Sequence, residues 1–309
     1  MASADQYTEY QVAMRDGYEL LTRVWLPGGD GPFHTILERG YEAGWPTHPQ
    51  RFTGAGYAYV GQQSRGTLEG GMFRMDHVDG YDCLDWIVAQ DWCNGRVAMY
   101  GRSFMGATQW LLAPEQHPNL VAIVPQVVNP DIWERVYWDH GALQLSHVAR
   151  RIYRTRVAAD MTHKVHEYGG WDAFYRHLPL ITLDETVVGS KNNLWQEYVT
   201  HSQYGSYWDD ISITDRFDKI KIPTYIHAGW YDNYPGALLR TYMILKEMGA
   251  IDELRVDDAP LADYAGAQLA PLPPLESSAL AASAGPAPHT QRRHARHDNY
   301  AGGDNRADG

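Results

Sequence analysis

The stretch RVAMYGRSFMGATQW, Arg96 to Trp110, sets a serine, Ser103, between a compact apolar run and a segment patterned like a helix. A hydroxyl held on such a strand-to-helix turn, flanked by glycines because larger neighbours would collide, is presented for nucleophilic attack. The chemistry would be acyl transfer: attack on an ester or amide carbonyl, a covalent acyl intermediate, and release by water. The strict G-x-S-x-G spacing requires glycine at 105, where Met105 stands, and the glycine comes at Gly106 instead. Serine is also a favoured helix N-cap, so the turn by itself leaves both roles open.

The elements that would hold this turn are legible along the chain. From Tyr18 to Arg255 short β-rich runs alternate with helical patterns, which predicts an α/β fold with a mostly parallel sheet and right-handed crossovers. YELLTRVWLP alternates like an edge strand and HTILER follows the GGDGP turn, so two hairpin-like strands are expected to open the domain. GYAYVGQ, RVAMY, LVAIVPQ and IPTYIHAG suit buried strands. DHVDGYDCLDWIVAQDW and FMGATQWLLAPEQHP read as helices, the second ending near Pro118, and PGALLRTYMILKEMG as a third with Pro235 in its first turn. From Asp131 to Arg216 apolar residues recur at helical spacing with no intervening strand, which predicts an inserted helical cap. The expected division is core residues 1–130, cap 131–216, a second and incomplete core part 217–255, and a low-complexity tail 256–309.

Composition bounds the partners. The 309 residues carry a formal charge of −12 with scattered Lys and Arg, which argues against nucleic acid or an anionic membrane surface. MASADQYTEY has no basic-then-apolar leader, no run approaches a membrane span, and Cys83 and Cys93 are expected to stay reduced, so a cytoplasmic protein is expected. His163 and His166 lie three apart without a Cys, Asp or Glu cluster and read as exposed polar residues rather than metal ligands; no metal or cofactor is called for. Trp133, Tyr137 and Trp138 read as cap core, with a pocket wall as the functional alternative.

Several separated blocks then occur in a fixed order: RDGYELLTRVWLPGGDGPF, ILERGYEAG, GYAYVGQQSRGTLEGGMF, HVDGYDCLDWIVAQDWCNGRVAMYGRSFMGATQW and KIKIPTYIHAGWYDNYPGA. From Met14 to about Arg255 the chain resembles the CocE/NonD hydrolases, the X-prolyl dipeptidyl-peptidase-like group that also holds cocaine esterase, glutaryl acylase and α-amino acid ester hydrolases. The resemblance implies a serine hydrolase with an α/β-hydrolase fold, a helical cap and a C-terminal β jelly-roll domain. Ser103 matches the family's nucleophile, whose motif also carries its second glycine at the later place, which accounts for Met105. Asp232 in HAGWYDNY matches the triad acid, which would accept the histidine Nδ1 proton and leave Nε2 free to deprotonate the serine. Without the resemblance Asp232 reads as an acid favoured near the helix N-terminus at Pro235. The oxyanion would be held by the Phe104 N–H and, as in family members with a loop tyrosine, by Tyr41. The family has an extra residue between its arginine and that tyrosine, and Tyr41 could otherwise pack beside the sheet. Cys83 matches no family nucleophile.

The third triad member, a histidine, is unassigned. After PGALLRTYMILKEMGA, DELRV could begin the last core strand, and the family pattern then stops at DDAPLADYAGAQLAP. The histidines after Asp232 are His289, His294 and His297, in a segment where Val256 to Gly309 holds no Trp, Phe, Met, Ile or Lys, although all 11 Trp lie upstream. Such a composition predicts disorder. Composition and resemblance change together, so residues from about Val256 are expected to be out-of-frame or foreign sequence. The family's jelly-roll domain is then absent, a sheet edge is exposed with poor solubility, and activity is impaired. The expected function is hydrolysis of a small-molecule ester, amide or short peptide. The alternative is an inactive scaffold acting by binding, or X-prolyl dipeptidyl-peptidase specificity if the enzyme is active. A dipeptidyl-peptidase needs an anionic site for its substrate's α-ammonium, for which the cap acids Asp131 and Glu134 are candidates.

Overall fold

The computed structural model describes residues 6–44, 48–65, 73–137, 141–154, 161–249 and 253–257. Among the described residues the eight strands are β1 (Thr8–Ala13), β2 (Glu19–Trp25), β3 (Phe33–Gly40), β4 (Ala58–Gln63), β5 (Cys93–Arg102), β6 (Leu120–Gln126), β7 (Tyr225–Gly229) and β8 (Glu253–Asp257). They form one sheet in the order β1-β2-β4-β3-β5-β6-β7-β8. The pairs β1/β2 and β2/β4 are antiparallel; every other neighbouring pair is parallel. Helix α1 (His48–Gly54) joins β3 to β4, α2 (Asp76–Val88) joins β4 to β5, and α3 (Phe104–Leu112) follows β5. The α/β expectation holds.

One strand reading is corrected. YELLTRVW is not an edge strand: β1 covers it, Leu21 opposite Gln11, and its other side pairs with β4 rather than with HTILER. Alternating burial is shared by an edge strand and its antiparallel neighbour, so the pattern cannot say which lies outside. DELRV forms β8, which pairs along β7 from Tyr225 opposite Glu253 to Gly229 opposite Asp257, so regular pairing continues through Val256 and β8 is the last strand of the sheet among the described residues. FMGATQWLL also ends earlier than its pattern, at Leu112, followed by a short 3₁₀ turn Ala113–Glu115. Residues 258–309, with His289, His294 and His297, lie outside the described residues.

The core lies between the sheet and its helices: Leu37, Val97 and Met99 meet Leu84 and Ile87 of α2 and Trp110 and Leu111 of α3. One buried cation ties the layers together. Arg39, at the end of β3, donates from Nε to Gln62 Oε1 (2.8 Å) on β4 and from Nη1 to the Asp76 carbonyl (2.7 Å) at the start of α2, with the Asp76 carboxylate 3.2 Å away. Thr108 of α3 donates to the Arg39 carbonyl (3.2 Å). Buried charge is tolerated where it is paired and hydrogen-bonded in this way. The loop after β3, which carries Tyr41, thus leaves from a fixed point.

Past β6 the chain folds as short helices: α4 (Ile132–Val136), α5 (Leu145–Arg154), α6 (Thr162–Glu167), α7 (Gly170–Tyr175), α8 (Leu183–Val187), α9 (Asn193–Thr200) and α10 (Ser206–Asp209). Helices this short are held by tertiary packing rather than propensity. Tyr153, Phe174 and Trp195 bury their rings against one another, with Tyr153 5.6 Å from Phe174 and 5.9 Å from Trp195. Tyr137 is buried and donates to the Tyr198 carbonyl, and Trp133 donates to the Ser202 carbonyl (3.2 Å). These contacts are those of cap core; Trp138 lies outside the described residues. Helix α11 (Pro235–Glu247), with Pro235 at its first position, joins β7 to β8.

Candidate active site

Parallel strands β5, β6 and β7 run side by side, so their carboxyl ends open on one edge, the usual place for a site in such sheets. Ser103 stands at the end of β5 with φ 55 and ψ −117, a left-handed backbone that a residue with a Cβ rarely adopts. Its N–H donates to the Gln126 carbonyl (2.8 Å), fixing the turn to β6. The residue occupies the N-cap position of α3, yet its side chain makes no cap hydrogen bond. The helix-cap alternative therefore does not explain the side chain.

The glycines around the turn have steric reasons. A Cβ on Gly106 would lie 2.6 Å from Val128 Cγ1, and one on Gly101 would lie 2.5 Å from Met105 Cβ. The Met105 side chain also fills the space over Gly40, where a Cβ would meet its Cγ at 2.7 Å. Glycine is thus needed where α3 presses on β6, one turn position later than the strict motif, while position 105 packs against the glycines of β3 and β5.

Tyr41 and Phe104 are brought together, their rings 4.4 Å apart. Phe104 is the first residue of α3, where a backbone N–H has no partner in its own helix. A cap residue that the sequence reading did not single out joins them: Arg151 Nη2 donates to Ser103 Oγ (3.3 Å) and to Tyr41 Oη (3.4 Å). Both oxygens therefore share one nitrogen.

Asp232 lies beyond the carboxyl end of β7 in the loop before α11, its N–H on the Gly229 carbonyl (3.1 Å). One carboxylate oxygen accepts from the Asn233 N–H; the other, Oδ2, is buried and has no hydrogen-bond partner. Burial raises its pKa, against the Asn233 and Tyr234 backbone donors that lower it. Asp232 precedes the first turn of α11, which starts at Pro235. No histidine among the described residues is hydrogen-bonded to Ser103 Oγ or Asp232 Oδ2.

Two more cap residues approach the site. Arg135 of α4 and His147 and Arg151 of α5 line a small pocket walled by Phe73, Ile132 and Val148. His147 Nε2 is hydrogen-bonded to Tyr234 Oη (2.8 Å), and its Nδ1 faces the Asn233 amide at 3.4 Å. Burial, and then the charges of Arg151 and Arg135, push the His147 pKa down to about 3, so the ring is neutral. The arginines left a trace in the sequence: Ile132-Arg135-Val136 and Val148-Arg151-Ile152 each put a cation on the apolar face of a helix at the same spacing.

The remaining candidates have other roles. Asp131 caps α4, accepting from the Glu134 N–H (3.2 Å) and from Thr214 Oγ1 (2.8 Å). Glu134 accepts from Arg240 Nη2 (2.8 Å) and Asn129 Nδ2 (3.1 Å). Both acids are thus engaged within the chain. Cys83 is fully buried and its thiol is pushed up to about 12 by burial, which leaves it unreactive; neither cysteine is in a disulfide. Among the described residues no group of three His, Cys, Asp or Glu side chains could hold a metal ion, and no helix is long and apolar enough to cross a membrane.

This geometry agrees with a family match. The family model for X-Pro dipeptidyl-peptidase (S15 family) matches residues 16–259. The chain belongs to the S15 family. It is 30% identical over 262 residues to cocaine esterase of Rhodococcus sp. (strain MB1 Bresler), covering 76% of this chain and 46% of that protein. Its fold is that of an aminopeptidase from the marine sediment archaeon Thaumarchaeota archaeon (TM-score 0.62, 22% identity, 83% of this chain and 49% of that one). It is shared also by an α-amino acid ester hydrolase (TM-score 0.60, 19% identity, 83% and 49%). The chain spans about half the length of this relative and of these solved structures. The family match ends two residues beyond β8, close to the change in composition.

Proposed function

We propose that this protein is a serine hydrolase of small-molecule esters or amides, with Ser103 as nucleophile. One observation carries the reading: Ser103 is a non-glycine residue in a left-handed turn at the carboxyl end of a central parallel strand, and its hydroxyl does not cap its own helix. Backbone strain of this kind costs about 1–3 kcal/mol and persists where it serves a site. In the reaction Oγ bonds to the carbonyl carbon while a histidine takes its proton. The Phe104 N–H and the Tyr41 hydroxyl hold the oxyanion. Collapse expels the alcohol or amine with that proton, and water releases the acid and restores the serine. Asp232 would hold the histidine through its Nδ1–H.

No residue is assigned as the base in this scheme. A second reading, an inactive scaffold acting by binding, is favoured by the buried Asp232 Oδ2, which has no partner where an imidazole N–H would donate. Loss of one triad member costs about 10⁴–10⁶ in turnover, so the readings are far apart. Labelling with a fluorophosphonate separates them. The hydrolase reading expects stoichiometric modification of the chain translated in the frame that supplies the histidine, and none of its Ser103→Ala variant. If that chain folds and stays unlabelled, the scaffold is the correct reading. X-prolyl dipeptidyl-peptidase specificity has less support, because Asp131 and Glu134, the cap acids considered for an α-ammonium, are engaged within the chain.

A further inference from the structure

Arg135 is 4% exposed, yet neither Nη1 nor Nη2 has a hydrogen-bond partner. Among the described residues no carboxylate ion-pairs with it. Its nearest charged company is a like charge, Arg151, and burial together with that charge lowers its pKa. The guanidinium stacks over Phe73 at 5.4 Å, which holds the plane without satisfying its donors. A folded chain rarely leaves both terminal nitrogens of a fixed charge unmatched, because a buried cation without an anion is strongly destabilising. The position is also specific. Arg135 lines the same pocket as Arg151, which reaches Ser103 Oγ at 3.3 Å, and the other walls are apolar or, at His147, neutral. Planar forked donors in an apolar pocket match a carboxylate bidentately.

We propose that this pocket receives a free carboxylate carried by the substrate, so that the esters or amides presented to Ser103 are anionic ones with an apolar segment between the carboxylate and the scissile carbonyl. The proposal rests on the hydrolase reading above for the word substrate; the carboxylate site itself does not. Charge selects: an uncharged isostere would leave Arg135 as it is, unpaired, whereas a carboxylate supplies the missing partner.

The test is calorimetric titration of the full chain with phenylacetate and with phenylacetamide at matched ionic strength. Phenylacetate is expected to bind at least tenfold more tightly. In Arg135→Gln the two should fall within threefold of each other, while Arg135→Lys should keep part of the preference. Near-UV circular dichroism shows whether each variant is folded; if Arg135→Gln is not, the wild-type comparison and Arg135→Lys decide. Equal affinities in the folded wild type overturn the proposal, as does a preference that survives Arg135→Gln, which would place the anion on Arg151 or on Phe104 and Tyr41 instead. Fluorophosphonate labelling of the chain translated in the frame that supplies the histidine separates the claims: no label with the preference intact removes the hydrolase reading alone, and label without preference removes the carboxylate site alone.

Discussion

Replacing Arg135 with methionine should make the empty protein more stable. The side chain is 4% exposed, both terminal nitrogens lack partners, and Arg151 adds a like charge across the same pocket. Methionine fills a similar volume without charge and adapts to irregular space. The substitution forfeits the stacking on Phe73, worth about 0.5–2 kcal/mol, and removes an unpaired buried cation whose effective burden is several kcal/mol. The net gain should be about 1–3 kcal/mol. For a folded unit of some 250 residues each kcal/mol moves Tm by about 2–4 °C, so Arg135→Met should melt about 2–12 °C above the wild type. Thermal melts and urea titrations in a buffer free of carboxylates and phosphates measure this directly. Phenylacetate should then raise the wild-type Tm and leave the variant's unchanged, because only a ligand that binds the native state stabilises it. A variant that melts lower than the wild type by more than about 2 °C would refute the reasoning, since it would mean that the guanidinium is already satisfied within the chain or by bound water.

Ser103→Gly should melt above Ser103→Ala by about 1 kcal/mol, because glycine adopts the left-handed turn without the Cβ clash; the reverse order would remove the strain from the account of the elbow. His147 has its pKa depressed from 6.5 to about 3, so it is neutral in the folded chain while it charges in the unfolded one between those values. Its contribution is complete above pH 6.5 and is lost as pH falls toward 3. His147→Gln should therefore flatten a stability loss on the order of a few kcal/mol in a urea series from pH 7 to pH 4, and parallel curves would contradict the burial assigned to the ring. Reading the coding DNA for Lys246 to Pro274 in three forward frames is expected to show another frame continuing past β8 into β-rich sequence with a histidine loop; an open frame only for the present tail would overturn the out-of-frame expectation.

The strand, turn and helix around Ser103 were legible because each is a local pattern: apolar residues in RVAMY, glycines at fixed offsets, helical spacing in FMGATQWLL. The same holds for the cap, whose periodicity needs no knowledge of neighbours. The β2 strand was misplaced at an edge because alternation reports one buried face and not the identity of the flanking strands. The arginines escaped notice for a different reason. Their positions on apolar helix faces are visible in Ile132-Arg135-Val136 and Val148-Arg151-Ile152, but a lone cation in such a pattern is ordinarily paired, and only the packed chain shows that Arg135 is not.

From its sequence alone this protein was determined to be an α/β chain with a serine elbow, an inserted helical segment and a sharp compositional break near Val256, since these follow from short-range periodicity, turn chemistry and residue content. Tertiary structure decided the rest. Arg151 meets Ser103 across 48 positions and Tyr41 across 110, β8 completes the sheet beside β7, and Met105 rather than a glycine packs over Gly40. Such contacts depend on which strands lie side by side and how far each helix is displaced, quantities set by the packing of the whole core and written in no local window of the chain.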